Sequence, residues 1–419
     1  MPLLLLVCGL MSAALTLNVF HPVTSRTVPS GISFFVGWLT SELALHHVGV
    51  QLTLASALAL LGGLSAPAGH VGLALFVASW CGLAWAHRTA LRSRPAVLAA
   101  LREGLGADYE SETAPALRVP PEPAATPLSR LTRPFHFGDR EVEVTRDVVF
   151  YEGGSLRLRL DLYRPAATAS EADARRPILV YVHGGGWVIG DKERQGLPLL
   201  YHLAEHGWLC ATISYRKSPR ATFPDHLVDV KRAIAWLRAH AAEYGGDPSE
   251  MFISGGSAGG HLASLASLTP NDPAYQPGFE AADTRLAGCI SFYGVYDFLD
   301  RFGHWPNAGL RELLERHVMK TSPLTDRAAW DRASPVAHVR KDAPPFLLIH
   351  GTHDSLVPVE DARAFAKALR AASDQPVALC EFEGAQHAFE TFQSTRTVLA
   401  HEAVDRFTAW VRSRHLASR

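Results

Sequence analysis

Cysteine is scarce and unpaired in this chain. Cys8, Cys81, Cys210, Cys289 and Cys380 are scattered over 419 residues with no C-x-x-C spacing. That argues against a disulfide framework and against a cysteine-based zinc site, and permits a reducing compartment. An excess of one charge sign is also missing: 40 Lys and Arg face 41 Asp and Glu, with a pI near 7.1. Without a basic domain or stripe, nucleic acid is excluded as a partner. No arginine cluster announces a phosphorylated ligand, and no internal repeat is visible. Apolar side chains, by contrast, make up 47% of the sequence, and the mean hydropathy is +0.04, high for a wholly soluble protein.

The excess lies at the amino terminus. Residues 3–20 carry no charge, and residues 48–64 and 68–86 are almost as clean. Each approaches the length a helix needs to cross a bilayer. The first run lacks the basic start and the A-x-A site of a cleaved signal, and two more runs follow it, so it reads as anchor. Between runs one and two, residues 33–47 read as an interfacial helix or the tilted start of the second span. Glu42 is then expected near an interface, because a carboxylate at the bilayer centre costs about 2.5–3.5 kcal/mol. Arg26 follows the first run, and Arg88, Arg92 and Arg94 follow the third. With three crossings the positive-inside rule leaves the amino terminus outside and everything after Arg88 in the cytoplasm. The expected division is therefore a membrane anchor of about three helices (1–90), a Pro/Ala-rich linker with local helix at 96–104 (91–134), and a third region (135–419).

In that third region short β-rich runs alternate with helical stretches. Residues 141–150 and 155–163 alternate apolar and polar around Gly153-Gly154, which predicts a hairpin. Compact apolar runs follow at 178–183, 209–215, 251–254, 286–292, 346–350 and 377–383, as in buried parallel strands. Leu227, Val230, Ile234 and Leu237 recur at helical spacing between two of them. The fold class expected is a three-layer α/β domain with an eight-stranded, mostly parallel sheet.

Two glycine-rich segments close strands of this sheet. One is His183-Gly184-Gly185-Gly186-Trp187; the other is Gly255-Gly256-Ser257-Ala258-Gly259. A serine in a G-x-S-x-G strand-to-helix turn presents its hydroxyl as a nucleophile. Acyl transfer turns a carbonyl oxygen into an anion, so rigid N–H donors are needed beside it; Gly185, Gly186 and Ala258 are the candidates, with His183 and Gly184 supporting the loop. The serine also needs a base, and the base a carboxylate. Asp354 and His387 follow the last two strands in the order Ser, Asp, His and are the expected pair. His350 and His353 are rivals for the base; Asp283, Asp297 and Asp300 are weaker candidates for the acid, and Asp247 reads as a turn or cap residue.

These motifs from about residue 135 onward resemble the alpha/beta-hydrolase superfamily, and the His183–Gly186 run with Gly256-Ser257-Ala258-Gly259-Gly260 resembles the hormone-sensitive-lipase-like esterases. With the apolar amino terminus, the whole is similar to membrane-anchored bacterial Lip-type esterases. Residue 256 is Gly where many of that branch carry an acidic residue, a variation that also resembles kynurenine formamidases. The resemblance implies carboxylic-ester hydrolysis through an acyl-serine, with no cofactor and no metal. A long insertion, residues 296–339, is either a helix packed on the sheet or a cap over Ser257; Trp305 within it, Trp187 and Phe389 are the expected pocket walls. The expected substrate is a neutral small-molecule or lipid ester of short to medium acyl chain. Amide, formamide or peptide hydrolysis by the same three residues, and a non-catalytic membrane interaction protein on this fold, are the alternatives. The sequence leaves the oligomeric state open.

Overall fold

The computed structural model describes residues 1–120, 131–138, 141–166 and 175–417; residues 121–130 of the expected linker lie outside them. Its sheet comprises β1 (Val142–Gly153), β2 (Leu156–Pro165), β3 (Arg176–Val182), β4 (Leu209–Ile213), β5 (Gly246–Gly256), β6 (Gly288–Phe292), β7 (Phe346–Gly351) and β8 (Val377–Phe382). The spatial order is β1-β2-β4-β3-β5-β6-β7-β8. β1 and β2 form the predicted antiparallel hairpin, β2 lies antiparallel to β4, and every later pairing is parallel. Every residue of β3, β4, β6 and β7 is buried. That is why these strands read as unbroken apolar runs: a parallel sheet is covered on both faces.

The helices are α1 (Pro2–Phe20), α2 (Thr27–Glu42), α3 (Ala44–Leu58), α4 (Pro67–Leu91), α5 (Ser93–Leu105), α6 (Tyr109–Glu112), α7 (Leu197–Glu205), α8 (Asp225–His240), α9 (Ala258–Leu268), α10 (Gly309–Leu313), α11 (Arg327–Ala333), α12 (Val359–Ala372) and α13 (Thr395–Ala417). On one face of the sheet Leu227, Val230, Ile234 and Leu237 of α8 join the core under Ile178 and Val180; on the other, Ala403, Val404 and Phe407 of α13 close over Leu179 and Ile290.

Three helices are long and apolar enough to cross a membrane, Pro2–Phe20, Ala44–Gly63 and Pro67–Leu105. α1 and α4 touch at their backbones: a Cβ on Gly9 would lie 2.4 Å from the Gly72 carbonyl oxygen, so only small residues fit that crossing. Ser79 of α4 bridges Thr16 of α1 (2.6 Å) and Gln51 of α3 (2.9 Å), pairing polar groups inside an otherwise apolar bundle.

Two segments pack more closely on the α/β domain than their sequence reading expects. α5, at the start of the expected linker, is a packed element: Val97, Leu101 and Leu105 are buried, and a Cβ on Gly104 would strike Ala378 of β8 at 2.4 Å. α2 docks on the α/β domain and on α1, burying Ser30, Ser33, Phe34, Gly37, Thr40 and Ser41; the Ser33 hydroxyl, for one, donates to Asn18 of α1 at 2.6 Å. The Glu42 carboxylate is buried 2.7 Å from the Arg396 guanidinium and accepts from the Ser394 hydroxyl, so the charge is satisfied by protein.

Candidate active site

β5 ends at Gly256 and α9 begins at Ala258; Ser257 between them holds φ 58° and ψ −120°. A side-chain-bearing residue in that region costs about 1–3 kcal/mol and persists only where its surroundings enforce it. Here the Ser257 N–H donates to the Phe292 carbonyl and the Ser257 carbonyl accepts from the His261 N–H, both at 2.9 Å. The neighbouring glycines are steric requirements, since a Cβ on Gly259 would lie 1.9 Å from the Val182 carbonyl oxygen. Gly256 faces Tyr293, where a Cβ would lie 2.8 Å from the ring hydroxyl. The Tyr293 hydroxyl donates to the buried Glu390. The tyrosine thus occupies the space that an acidic residue at 256 would need, which accounts for the glycine there.

Gly184 donates its N–H to Gln195 Oε1 at 2.7 Å and is committed to the loop. Gly185 and Gly186 take φ 113° and 57°, and the Gly185 carbonyl accepts from Val188 and Ile189. That leaves the N–H groups of Gly185, Gly186 and Ala258, the last in the first turn of α9 where helix N–H groups lack intrahelical partners, as the candidate donors to an oxyanion. His183 stacks on Tyr215 with centroids 4.3 Å apart, and its Nδ1 lies 2.8 Å from the Gly184 carbonyl oxygen. Burial pushes its pKa down to about 4, so the ring is neutral and supports the loop.

Asp354 and His387 stand in the loops after β7 and β8, with Asp354 Oδ2 2.6 Å from His387 Nδ1. Asp354 Oδ1 accepts from the N–H groups of Leu356 (2.9 Å) and Val357 (2.8 Å). Burial opposes ionisation of Asp354, but His387, His350 and these donors overcome it and hold the carboxyl well below the usual range. Gln386 Oε1 accepts from the backbone N–H of His387 (2.9 Å) and of Ser355 (2.7 Å), tying the two loops together. The His387 ring meets Tyr293 at 4.5 Å and the edge of Phe34, from α2, at 5.8 Å.

The rivals sit elsewhere. His350 Nε2 is 3.2 Å from Asp354 Oδ2 and 3.0 Å from the Val357 carbonyl oxygen, behind the carboxylate and fully buried. His353 Nδ1 lies 2.9 Å from the Val19 carbonyl oxygen at the end of α1. Asp283 pairs with Arg285 and Asp297 with Arg301. Asp300 accepts from the His304 N–H, and Asp247 from the Ser249 N–H, as loop residues do.

Ser257 and His387 line one cavity of about 220 Å³, with Gly186, Trp187 and Trp305 on its walls. Phe389 does not line it. Its ring turns inward, fully buried, to Phe382 (5.0 Å) and Tyr293 (6.2 Å), because the chain after His387 folds back over the sheet end. From the 296–339 insertion, Pro306, Asn307, Leu310 and Leu313 reach the cavity while Leu314, Val318 and Trp330 enter the core. Thr27 and Ser30 of α2 complete the wall and were not foreseen. A signal existed in the sequence: Ser30, Ser33, Thr40 and Ser41 place hydroxyls on one helical face inside an apolar run. Gln195, Gln386 and Tyr293, which hold the loops and the imidazole, carry no motif that marks them.

Residues 160–369 match the BD-FAE family. The sequence is 41% identical to the probable carboxylic ester hydrolase LipM of Mycobacterium tuberculosis, across 97% of this chain and 93% of that protein. Esterase LipQ of the same organism is 42% identical over 66% of this chain and 64% of its own length. Among solved structures, butyrate-bound esterase 2 of the planctomycete Thermogutta terrifontis superposes with a TM-score of 0.54 and 31% identity, covering 64% of this chain and 93% of that one. The same esterase phosphonylated by sarin gives a TM-score of 0.55 at 31% identity, over 64% of this chain and 94% of that one.

Proposed function

This chain belongs to the BD-FAE family of alpha/beta-hydrolase esterases and is a carboxylesterase, and from that premise we propose that it is a membrane-anchored serine hydrolase acting through an acyl-serine, with Ser257, His387 and Asp354 as its catalytic residues. The observation that carries the reading is the 2.6 Å contact of His387 Nδ1 with an ionised Asp354, behind a cavity lined by both His387 and the strained Ser257. Asp354 keeps the proton on Nδ1 and leaves Nε2 free to accept. Ser257 Oγ attacks the ester carbonyl carbon as His387 takes its proton, and the carbonyl oxygen, now an anion, is held by the N–H groups of Gly185, Gly186 and Ala258. Each such donor is typically worth about 10²–10³ in rate. His387 returns the proton to the departing alcohol oxygen. Water, deprotonated by the same imidazole, then releases the acid and restores the hydroxyl.

A cavity of about 220 Å³ suits a short acyl group, and the butyrate bound to the Thermogutta terrifontis relative supports the same size class. Phosphonylation of that relative by sarin supports the covalent route. For the anchor, α1, α3 and α4 expose Leu3, Leu10, Met11, Val50, Leu54 and Val77 outward, as lipid-facing helices do. The ends of α1 and α4 nearest the catalytic domain, with Arg26, Arg88 and Arg92 beside them, favour the cytoplasmic side for that domain.

The test is fluorophosphonate labelling and turnover of p-nitrophenyl esters of graded acyl length by the full chain in detergent micelles, beside N-formylkynurenine and peptide anilides. Labelling lost in Ser257→Ala, with butyrate-sized esters preferred over the amides, is expected. Undiminished turnover in Ser257→Ala would overturn the mechanism.

A further inference from the structure

α2 has two faces of opposite use. Its inner face brings Thr27 and Ser30 to the cavity wall and Phe34 to the His387 ring. Its outer face carries Val28, Ile32 and Phe35, exposed by 72%, 63% and 61%, with Leu39 one turn further on. That spacing draws one apolar stripe along the helix, directed away from the protein. Six residues separate the end of α1 at Phe20 from α2, and one residue separates α2 from α3. Both neighbours are long and apolar enough to cross a membrane. The stripe is therefore held at both ends beside the ends of two helices that can cross a membrane. The adjoining rim is apolar too: Phe135 is exposed and packs on Phe392, which packs on Trp38 of α2, and Ile189 of the glycine loop is exposed.

The docking is built rather than incidental. Asn307 of the insertion donates to the Thr24 carbonyl (2.6 Å), Ser355 donates to the Ser30 carbonyl (3.3 Å), and Glu42 is locked to Arg396. A helix fixed to the cavity on one side and apolar on the other has the amphipathic pattern of a segment lying in the membrane interface.

We propose that α2 lies in the plane of the bilayer surface, its outer stripe in lipid and its inner face a wall of the ester cavity, so that the site takes apolar esters directly from the lipid phase. The occupant of the stripe is the acyl and headgroup boundary of the membrane. This rests on the membrane-anchored serine-esterase reading above and adds the route by which substrate arrives. Such a site accepts an ester whose short acyl group enters the cavity while a long apolar alcohol remains in the lipid.

Two substrates that deliver the same acyl group separate delivery from chemistry. p-Nitrophenyl butyrate is presented from water and hexadecyl butyrate from phosphatidylcholine vesicles, both to the full chain reconstituted in those vesicles. Ile32→Glu combined with Phe35→Glu is expected to lower turnover of hexadecyl butyrate at least tenfold and that of p-nitrophenyl butyrate less than twofold. Equal effects on the two substrates, or none, would overturn the proposal. A second measurement needs no turnover: an environment-sensitive fluorophore on Ile32→Cys, in a Cys8→Ala, Cys81→Ala background, should be quenched by nitroxide lipids and shielded from aqueous iodide. The reverse would place the stripe in water or against another protein and would sink the idea even if the charged variant failed to fold. Ser257→Ala keeps the two readings apart, because p-nitrophenyl butyrate turnover surviving it refutes the serine mechanism, whereas α2 results alone bear only on delivery.

Discussion

Glu42 and Arg396 form an ion pair at 2.7 Å with each side chain 1% exposed, joining the end of α2 to the helix that follows the His387 loop. Arg396 also donates to the Glu383 carbonyl at 2.8 Å, so the pair braces the segment between β8 and α13 in which His387 stands. The amino-terminal region is thereby fixed to the α/β domain through α2. Removing one partner of a buried pair leaves the other charge uncompensated, at a cost of about 3–5 kcal/mol. Glu42→Gln is therefore expected to lower the thermal midpoint of the catalytic domain in detergent micelles by several degrees. A midpoint equal to wild type would show that α2 is not coupled to the domain.

Ser257 concentrates strain where the chemistry is proposed. Glycine adopts φ 58°, ψ −120° without the Cβ penalty, so Ser257→Gly should stabilise the fold by about 1–3 kcal/mol. Turnover should fall on the order of 10⁶-fold with the nucleophile gone. Unfolding monitored by circular dichroism, alongside p-nitrophenyl butyrate turnover, reads both effects; a variant less stable than wild type would mean that the turn is not strained.

Much of this was legible in the sequence because burial leaves a simple mark. β3, β4, β6 and β7 are wholly buried, and each appeared as a compact apolar run. β5 begins at Gly246, five residues before its apolar run, because Gly246 pairs with Arg176 ahead of a register shift that hydropathy does not encode. The two glycine segments were legible because close backbone approach admits no Cβ. The docking of α2 was not, since an apolar stripe does not reveal what the opposite face of its helix meets, and the partner of Glu42, Arg396, lies more than 350 positions away. Phe389 was misjudged for a related reason: adjacency to His387 in sequence says nothing about which way a loop turns.

Glu390 makes stability depend on pH. Its carboxyl is buried beside Tyr293, and burial raises its pKa from 4.5 to about 7. Between those two values the folded state binds the extra proton and the unfolded state does not. Stability from this group is thus fully present below about pH 4.5 and is lost as pH rises through 7. The shift corresponds to roughly 3 kcal/mol. Glu390→Gln keeps an acceptor for the tyrosine and removes the titration, so the variant should gain on wild type steadily from pH 5 to pH 7.5 in thermal unfolding. Parallel curves would assign the pH dependence to other groups.

Gly185 tests the oxyanion loop. A Cβ there would lie 2.3 Å from the Ile189 carbonyl oxygen at φ 113°, so Gly185→Ala must move the backbone that carries the proposed donors. Displacing one donor is expected to cost about 10²–10³ in kcat with a smaller change in KM, because the contact strengthens as charge develops. Steady-state kinetics on p-nitrophenyl butyrate distinguish this from a loss of substrate binding, which would raise KM and leave kcat alone.

Two histidines contact Asp354 Oδ2, and they are not equivalent. His387 Nδ1 is at 2.6 Å and its ring reaches the cavity; His350 Nε2 is at 3.2 Å, is fully buried and also faces the Val357 carbonyl oxygen. A base must face the substrate, so His387, which lines the cavity with Ser257, is the histidine proposed to take its proton. His387→Ala should reduce kcat on the order of 10⁶-fold, as loss of the base does when nucleophile and base act as a unit. His350→Ala removes one of several groups that hold the carboxylate ionised, with His387 and the N–H groups of Leu356 and Val357 still in place. It should therefore lower kcat less than about tenfold, the scale of roughly 1.4 kcal/mol. Stopped-flow burst kinetics with p-nitrophenyl butyrate would show the acyl-enzyme phase retained in the His350 variant and abolished in the His387 variant; the opposite order would exchange their roles.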